Sequence, residues 1–283
     1  MNRKLRLLSG MLALLICAGL WLPLNTGAEQ LPAREATEAQ ETLVPPAEKP
    51  ALIAHAGGAI YGFRLTNSLE ALELAYACGY RVLEADLSLT SDGEIVLIHD
   101  WEEMALRLLG SSGRRSLEEF MASEVFQELT LLSLDDLLRW LESHPDCRIV
   151  TDVKETDNVA VLQQLKEQAG EQAAAFIPQI YLPGEYDAVR ELGFEDIIFT
   201  FYRMGEINHM FLFLFLQNRS FWALTMPFEG LDAQLLQNLS AAGYTIYAHT
   251  VNTLSDYETW QSQGLYGIYT DYFQPDHWVD GQG

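Results

Sequence analysis

The chain alternates between short runs rich in β-branched and aromatic residues and longer segments whose apolar positions recur every three or four residues. The short runs are typical of buried strands, and the longer segments have the periodicity of helices that cover them. Eight runs predict strands, at residues 52–55, 82–86, 148–154, 176–181, 197–202, 221–226, 245–251 and 267–271.

Polar residues mark where several of the intervening helices begin. Ser133 with Asp136, and Thr253 with Asp256, have the spacing of a capping box, in which a hydroxyl and a carboxylate satisfy free backbone N–H groups at a helix start. Asn67 with Glu70 has the same spacing and predicts a third such start.

Eight strands separated by helices within about 230 residues predict an α/β fold of the (β/α)8, TIM-barrel type. A doubly wound open sheet is the structural alternative. It is disfavoured because no G-x-G-x-x-G motif follows the first strand.

The second strand continues into a predicted hairpin. Asp92-Gly93 is a strong turn signal between two apolar runs, and symmetric pairing about it places His99 opposite Asp86. We therefore expect a β-hairpin extension that rises above the barrel mouth and delivers His99 beside the second strand.

The first 50 residues differ in composition from the rest. Three basic residues precede an uncharged run of 18 residues at 7–24, followed by small residues at 26–28, which predicts a signal peptide or membrane anchor within 1–28. Residues 29–50 contain four prolines and five glutamates and predict a linker. The expected organisation is thus 1–28, 29–50 and a barrel domain at 51–283, exported and either secreted or attached to a membrane through residues 7–24.

Charge excludes one class of partner. Lys and Arg number 17 against 40 Asp and Glu, a net charge of −23. Nucleic acid binding depends on basic side chains that neutralise phosphates, so we expect no nucleic acid partner.

Candidate chemistry collects where the predicted strands end, which in a barrel is the face that carries active sites. Glu84 and Asp86 are two residues apart and share one face of the second strand, as Asp152 and Lys154 do on the third. Carboxylates that face an interior without a partner are costly to bury. Lys154 alone can balance one charge, so a divalent cation between the three carboxylates is the better explanation.

Two histidines converge on this cluster. His55 ends the first strand, and His99 arrives on the hairpin. Two histidines beside an acidic cluster indicate acid/base chemistry rather than core packing.

The motifs at these strand ends resemble those of the glycerophosphodiester phosphodiesterase family, which is related to phosphatidylinositol-specific phospholipase C. The resemblance covers residues 51–272 and rests on motifs that occur in the family's order: His55-Ala56-Gly57, Thr66-Asn67-Ser68, Glu84-Ala85-Asp86, Thr90-Ser91-Asp92-Gly93, His99-Asp100, Asp152-Val153-Lys154, Thr250-Val251-Asn252 and Thr270-Asp271.

The resemblance implies a barrel, a Ca²⁺ or Mg²⁺ ion, and cleavage of a small-molecule or lipid-derived phosphodiester to an alcohol and a phosphomonoester. Carried over residue by residue, it implies three metal ligands, an acid/base pair and a lysine that neutralises phosphate charge. These are respectively Glu84, Asp86 and Asp152; His55 and His99; and Lys154. Oxygen ligands suit Ca²⁺ or Mg²⁺, and two histidines can exchange protons near neutral pH.

Five positions depart from the family pattern. Ala56 stands where the family has arginine, Thr66 where it has glutamate, Ser68 where it has threonine, Asp152 where it has glutamate, and His249 where it has an aromatic residue. We expect Arg64, in the loop after the first strand, to replace the missing phosphate contact. These changes indicate an altered substrate within the same chemistry.

Two other functions are compatible with parts of the pattern. The lost arginine is compatible with an impaired barrel that only binds phosphorylated polymer or lipid headgroups. A barrel glycosidase with a carboxylate pair explains neither Lys154 nor the histidines.

The apolar segment 207–216 predicts a core helix, with a lipid-contacting element at the barrel rim as the alternative.

Overall fold

The computed structural model describes residues 49–205 and 208–272. The predicted signal peptide or anchor and almost all of the predicted linker lie outside the described residues. Within the described part of the chain, no helix is long and apolar enough to cross a membrane.

Eight parallel strands close into a barrel, which confirms the predicted fold. Their order is β1-β9-β8-β7-β6-β5-β4-β2, and β1 pairs with β2 to complete the circle; β3 is antiparallel to β2 on the outside of this ring. The strands are β1 Leu52–Ala54, β2 Val82–Leu89, β3 Ile95–Leu97, β4 Arg148–Val153, β5 Phe176–Ile180, β6 Ile198–Thr200, β7 Ala223–Pro227, β8 Ile246–His249 and β9 Gly267–Thr270.

Helices cover the outside of the barrel, and the core lies between the two layers. They are α1 Leu69–Ala77, α2 Glu103–Leu109, α3 Leu117–Met121, α4 Leu134–Ser143, α5 Asn158–Ala169, α6 Glu185–Glu191, α7 His209–Leu216, α8 Ala233–Ala241 and α9 Leu254–Gln261. A smaller buried cluster around Trp101 and Phe120 lies under the segment that joins β3 to α4.

The predicted hairpin exists, but its predicted register is wrong by one residue. Leu87 pairs with Leu97 and Leu89 with Ile95, so Ile98 rather than His99 reaches the level of Asp86. The Ile98 N–H donates to the Asp86 carbonyl oxygen at 3.2 Å. The cause is the turn, which spans three residues with Gly93 in the left-handed region instead of two central residues.

Two of the three predicted helix starts are confirmed. Ser133 and Asp136 form a capping box at α4, and the Thr253 hydroxyl accepts the N–H of Asp256 at α9. The third prediction is wrong, because α1 is capped by Ser68, whose hydroxyl accepts the N–H of Ala71 at 3.3 Å. Asn67 is thereby left for another contact.

Helix α7 differs from the predicted core helix. Leu212 and Leu216 are buried against the barrel, but the Met210 and Phe211 side chains are 65% and 66% exposed. Three of its eight residues, Met210, Phe211 and Leu214, therefore present apolar side chains to solvent.

Barrel closure leaves no room for a side chain at Gly267, where β9 passes β8. A Cβ added there would meet the Ala51 carbonyl oxygen and lie 2.6 Å from Cε1 of the Tyr247 ring inside the barrel. We expect Gly267→Ala to lower the free energy of unfolding by about 1–3 kcal/mol through overpacking. Thermal unfolding of Gly184→Ala is the control, because nothing lies within 4 Å of that position and its φ of −68° suits alanine. Equal stability of the two variants would contradict the close approach.

Candidate active site

The barrel interior is apolar at its centre and polar toward the carboxyl ends of the strands. One cluster of buried apolar residues fills the centre. On each barrel strand, the residue two positions after the member of this cluster is polar. Because side chains two apart share a face, this step defines an interior polar ring with one member per barrel strand. Its members are His55, Glu84, Asp152, Gln179, Thr200, Thr225, His249 and Asp271.

Three carboxylates meet at one side of this ring. One oxygen each from Glu84, Asp86 and Asp152 can be chosen so that all three lie within 4.8 Å of one another. Glu84 and Asp86 are almost fully buried, and the Oε1 atom of Glu84 has no hydrogen-bond partner among the described residues. Burial, followed by the charge of Asp86, raises the pKa of Glu84, so its negative charge is poorly compensated.

Lys154 compensates the other two carboxylates. Its Nζ lies 2.7 Å from Asp86 Oδ1 and 2.8 Å from Asp152 Oδ2. Burial opposes the lysine charge, but these two carboxylates outweigh it and raise the pKa of Lys154 well above its usual value. The sequence predicted one ammonium for three carboxylates, and the distances agree with that.

The remaining support of the cluster comes from groups that the sequence analysis did not single out. Tyr181 and Tyr202 both donate their hydroxyls to Asp152 Oδ1, at 2.6 and 2.9 Å. Burial opposes the charge of Asp152, but Lys154 and these two hydroxyls lower its pKa to about 2. The tyrosines lie on β5 and β6 ends, and only the closed barrel brings them to Asp152.

Two residues of the loop that follows β1 hold the side chains of Asp86 and Glu84 in place. Asn67 donates its amide to Asp86 Oδ2 at 2.7 Å and accepts the Asp86 N–H at 2.9 Å. The backbone N–H of Ala56 donates to Glu84 Oε2 at 2.7 Å. Asn67 and Ala56 both have positive φ, 49° and 47°, so the loop after β1 turns sharply to present these donors.

His55 lies beside the carboxylate cluster in a fixed orientation. Its Nδ1 is 2.8 Å from Asp271 Oδ1, and its Nε2 is 4.0 Å from Glu84 Oε2. Asp271 is itself held by Asn252, whose amide donates to Oδ2 at 2.7 Å. Burial disfavours the protonated ring, but the hydrogen bond to Asp271 and the charge of Glu84 prevail and raise the pKa of His55.

The ring of His99 is oriented by a carboxylate in the same way as that of His55. Its Nδ1 is 2.8 Å from Asp100 Oδ2, which leaves Nε2 for other partners. His99 and Lys154 line a common cavity of about 270 Å³, together with Ser88, Arg114 and Glu155. Within the described residues, no contact shorter than 4.0 Å joins His99 to the three carboxylates, as the one-residue register difference requires.

Arg64 reaches the site from the loop after β1. Its Nη1 lies 3.6 Å from Asp271 Oδ2, and its side chain is 56% exposed. The guanidinium is therefore next to the carboxylate that orients His55, with its other donors toward solvent.

His249 is a member of the polar ring for which the sequence analysis predicted no role. It lines a small cavity with His55, Glu84, Asp152 and others, and its Nε2 atom is buried without a partner in the described structure. Burial lowers the pKa of His249 to about 4, so its imidazole is neutral at physiological pH. Its position two residues beyond interior Tyr247 is the signal that could have identified it.

The acidic cluster has the chemistry of a metal site. Three carboxylates supply hard oxygen ligands, and the partnerless Oε1 of Glu84 is a buried acceptor that a cation would satisfy. Glu84, Asp86 and Asp152 together could therefore hold a metal ion.

Comparison with known proteins agrees with this site. The family model of the glycerophosphoryl diester phosphodiesterase family matches residues 56–185, which include His99, the three carboxylates and Lys154, while His55 lies one residue before the match.

Solved structures share the fold at low identity. An Oleispira antarctica phosphodiesterase in complex with the product sn-glycerol-3-phosphate is 20% identical, with a TM-score of 0.64 over 79% of this chain and 93% of that one. Glycerophosphodiester phosphodiesterases from Thermotoga maritima and Parabacteroides distasonis are 18% and 19% identical, with a TM-score of 0.61 each. They cover 79% and 78% of this chain and 95% and 92% of their own. The family match across the carboxylates, His99 and Lys154 makes the chain similar to the glycerophosphoryl diester phosphodiesterase family of hydrolases.

Proposed function

We propose that the protein hydrolyses a glycerophosphodiester-type substrate to an alcohol and a phosphomonoester, with a divalent cation and two histidines at the barrel mouth. The observation that carries the proposal is the buried three-carboxylate cluster flanked by two histidines that are each oriented by a carboxylate. A purely binding site for phosphate would gain nothing from three negative charges, because they repel the ligand.

Glu84, Asp86 and Asp152 would hold Ca²⁺ or Mg²⁺, since their oxygens are the ligands that these ions prefer. When bound, such an ion supplies positive charge that stabilises the negative phosphoryl oxygens. Asn67 and the Ala56 N–H keep Asp86 and Glu84 in place for this role.

The histidines supply the proton transfers. Phosphodiester cleavage requires that the attacking hydroxyl lose a proton and that the departing alkoxide gain one. Asp271 and Asp100 bind Nδ1 of His55 and His99, which leaves both Nε2 atoms to exchange protons with the substrate. Two histidines whose Nδ1 atoms are held by carboxylates can serve as one proton acceptor and one proton donor toward a phosphoryl group.

Lys154 and Arg64 provide charge for the phosphate. Lys154 lies between the carboxylates and the cavity that His99 lines. Arg64 would take the place of the arginine that Ala56 replaces. Glycerol phosphate, the product bound by the Oleispira antarctica relative, is a phosphomonoester of the size that such a pair of cations can bind.

The proposed setting is outside the cytoplasm. The basic residues and the uncharged run at 7–24 favour export, with secretion or membrane attachment as the outcomes of the first 28 residues.

The metal is tested by thermal unfolding. We expect Ca²⁺ or Mg²⁺ to raise Tm with concentration, by about 2.7 kcal/mol of added stability at a hundredfold excess over Kd. Asp86→Asn should remove this increment and the activity, while the exposed Asp187→Asn keeps both. Turnover that is insensitive to chelator, with no ion-dependent change in Tm, would contradict the metal site.

The histidines are tested by kinetics. His55→Ala and His99→Ala should each lower kcat by a factor on the order of 10²–10⁴ without loss of fold. A 4-nitrophenyl leaving group should restore most of the rate to the variant that lacks the proton donor, because that alkoxide needs little protonation. His209→Ala, a half-exposed histidine on α7, serves as the control. Near wild-type turnover of a poor leaving group by either variant would remove that histidine from the mechanism.

The role of Arg64 is tested by a matched pair of variants. Arg64→Ala should lower kcat/KM about tenfold, and Arg64→Lys should recover only part of it, because lysine lacks the bidentate fork. A change in kcat/KM of less than about twofold would show that Arg64 is only a partner of Asp271.

A further inference from the structure

Three of the four buried atoms of the interior polar ring that have no partner among the described residues lie in one half of the ring, and the fourth is Oε1 of Glu84. His55, Glu84, Asp152 and Asp271 form the charged half of this ring, in which His55 Nδ1 lies 2.8 Å from Asp271 Oδ1 and Asp152 accepts the Tyr181 hydroxyl at 2.6 Å. Gln179, Thr200, Thr225 and His249 form its neutral half. There, the Oγ1 atoms of both threonines and Nε2 of His249 are buried without a partner among the described residues.

Two members of the neutral half line the same cavity as three members of the charged half. His249 and Gln179 line it together with His55, Glu84 and Asp152. Two aromatic rings fix the imidazole, because Tyr202 and Tyr269 contact it edge-on with centroids 5.7 and 6.0 Å away. The Tyr269 hydroxyl is also buried without a partner within the described chain. A polar group can therefore enter next to the histidine without displacing an existing hydrogen bond.

Partnerless buried polar atoms indicate a ligand that completes them. Leaving such an atom unsatisfied lowers stability, so native sites normally pair it. A neutral imidazole and an amide both donate and accept, which matches an alcohol hydroxyl. Neither compensates the charge of a phosphate, which Lys154 attracts on the other side of the mouth.

The surroundings also disfavour a cationic group. The neutral half itself holds no carboxylate, and of the two that line the same cavity, Asp152 is paired with Lys154 and Glu84 is one of the proposed ligands of the cation. The guanidinium of Arg203 lies over the rings of Tyr181 and Tyr202, 3.7 and 5.3 Å from their centroids. These aromatic faces are therefore already paired with a positive charge, so a quaternary ammonium would meet repulsion instead of a cation–π contact.

We propose that His249, with Gln179, forms a subsite for the hydroxyl groups of the alcohol that is esterified to the phosphate. The subsite selects a polyol headgroup over a choline-like one, and His249 is a specificity-determining residue. This inference rests on the proposed function and names its substrate class.

The test compares two substrates on the full-length protein. Glycerophosphoglycerol and glycerophosphocholine share the glycerol phosphate part and differ in the second alcohol. We expect wild-type kcat/KM to favour the first, and His249→Phe to lower that preference roughly three- to tenfold. His249→Gln, which keeps an amide near the position of Nε2, should retain more of the preference, and His209→Phe should leave it unchanged.

Each outcome decides between the two claims. A wild-type preference for choline, or a preference that His249→Phe leaves intact, overturns the subsite while hydrolysis stands. Hydrolysis of neither substrate overturns the proposed function instead. If His249→Phe does not fold, the wild-type preference and its change in His249→Gln still test the inference.

Discussion

The constraint on which this site depends is the burial of three carboxylates against one ammonium. Charges this close repel strongly in a medium less polar than water, and only Asp86 and Asp152 are paired with Lys154. Glu84 keeps an unpartnered oxygen and a raised pKa. A fold selected only for stability would have an apolar residue here, so the cluster is best understood as a place prepared for positive charge.

Much of the neighbouring structure holds this cluster in its unfavourable arrangement. The side chain of Asn67 forms hydrogen bonds with both the carboxylate and the backbone N–H of Asp86, and the turn at Ala56 directs its N–H toward Glu84. Both residues adopt positive φ, a conformation that is costly outside glycine and that the surrounding contacts must maintain. The loop after β1 thus carries His55, the two supporting donors and Arg64.

The sequence predicted the barrel and most of the chemistry because both follow from local patterns. Alternation along each strand defined its inward face, and the strand ends at His55, Glu84 and Asp152 followed from it. The register of the hairpin could not be predicted from the alternation, because a two-residue and a three-residue turn are both compatible with Asp92-Gly93. The roles of Asn67 and Tyr202 could not be predicted either, since each depends on which distant side chain the closed barrel places within reach. The exposed apolar face of helix α7 could not be predicted for the same reason, because composition cannot show which neighbours cover an apolar face.

The central claim is that the incompletely compensated negative charge of the three carboxylates at the barrel mouth serves phosphodiester hydrolysis. Phosphorus NMR of the full-length protein with glycerophosphoglycerol tests it directly, because diester and monoester phosphorus have separate resonances. With Ca²⁺ or Mg²⁺ present, we expect the diester signal to be replaced by that of glycerol phosphate, and chelator to stop the conversion. A diester signal that persists with folded protein and either ion, or a conversion that chelator does not affect, would contradict the account.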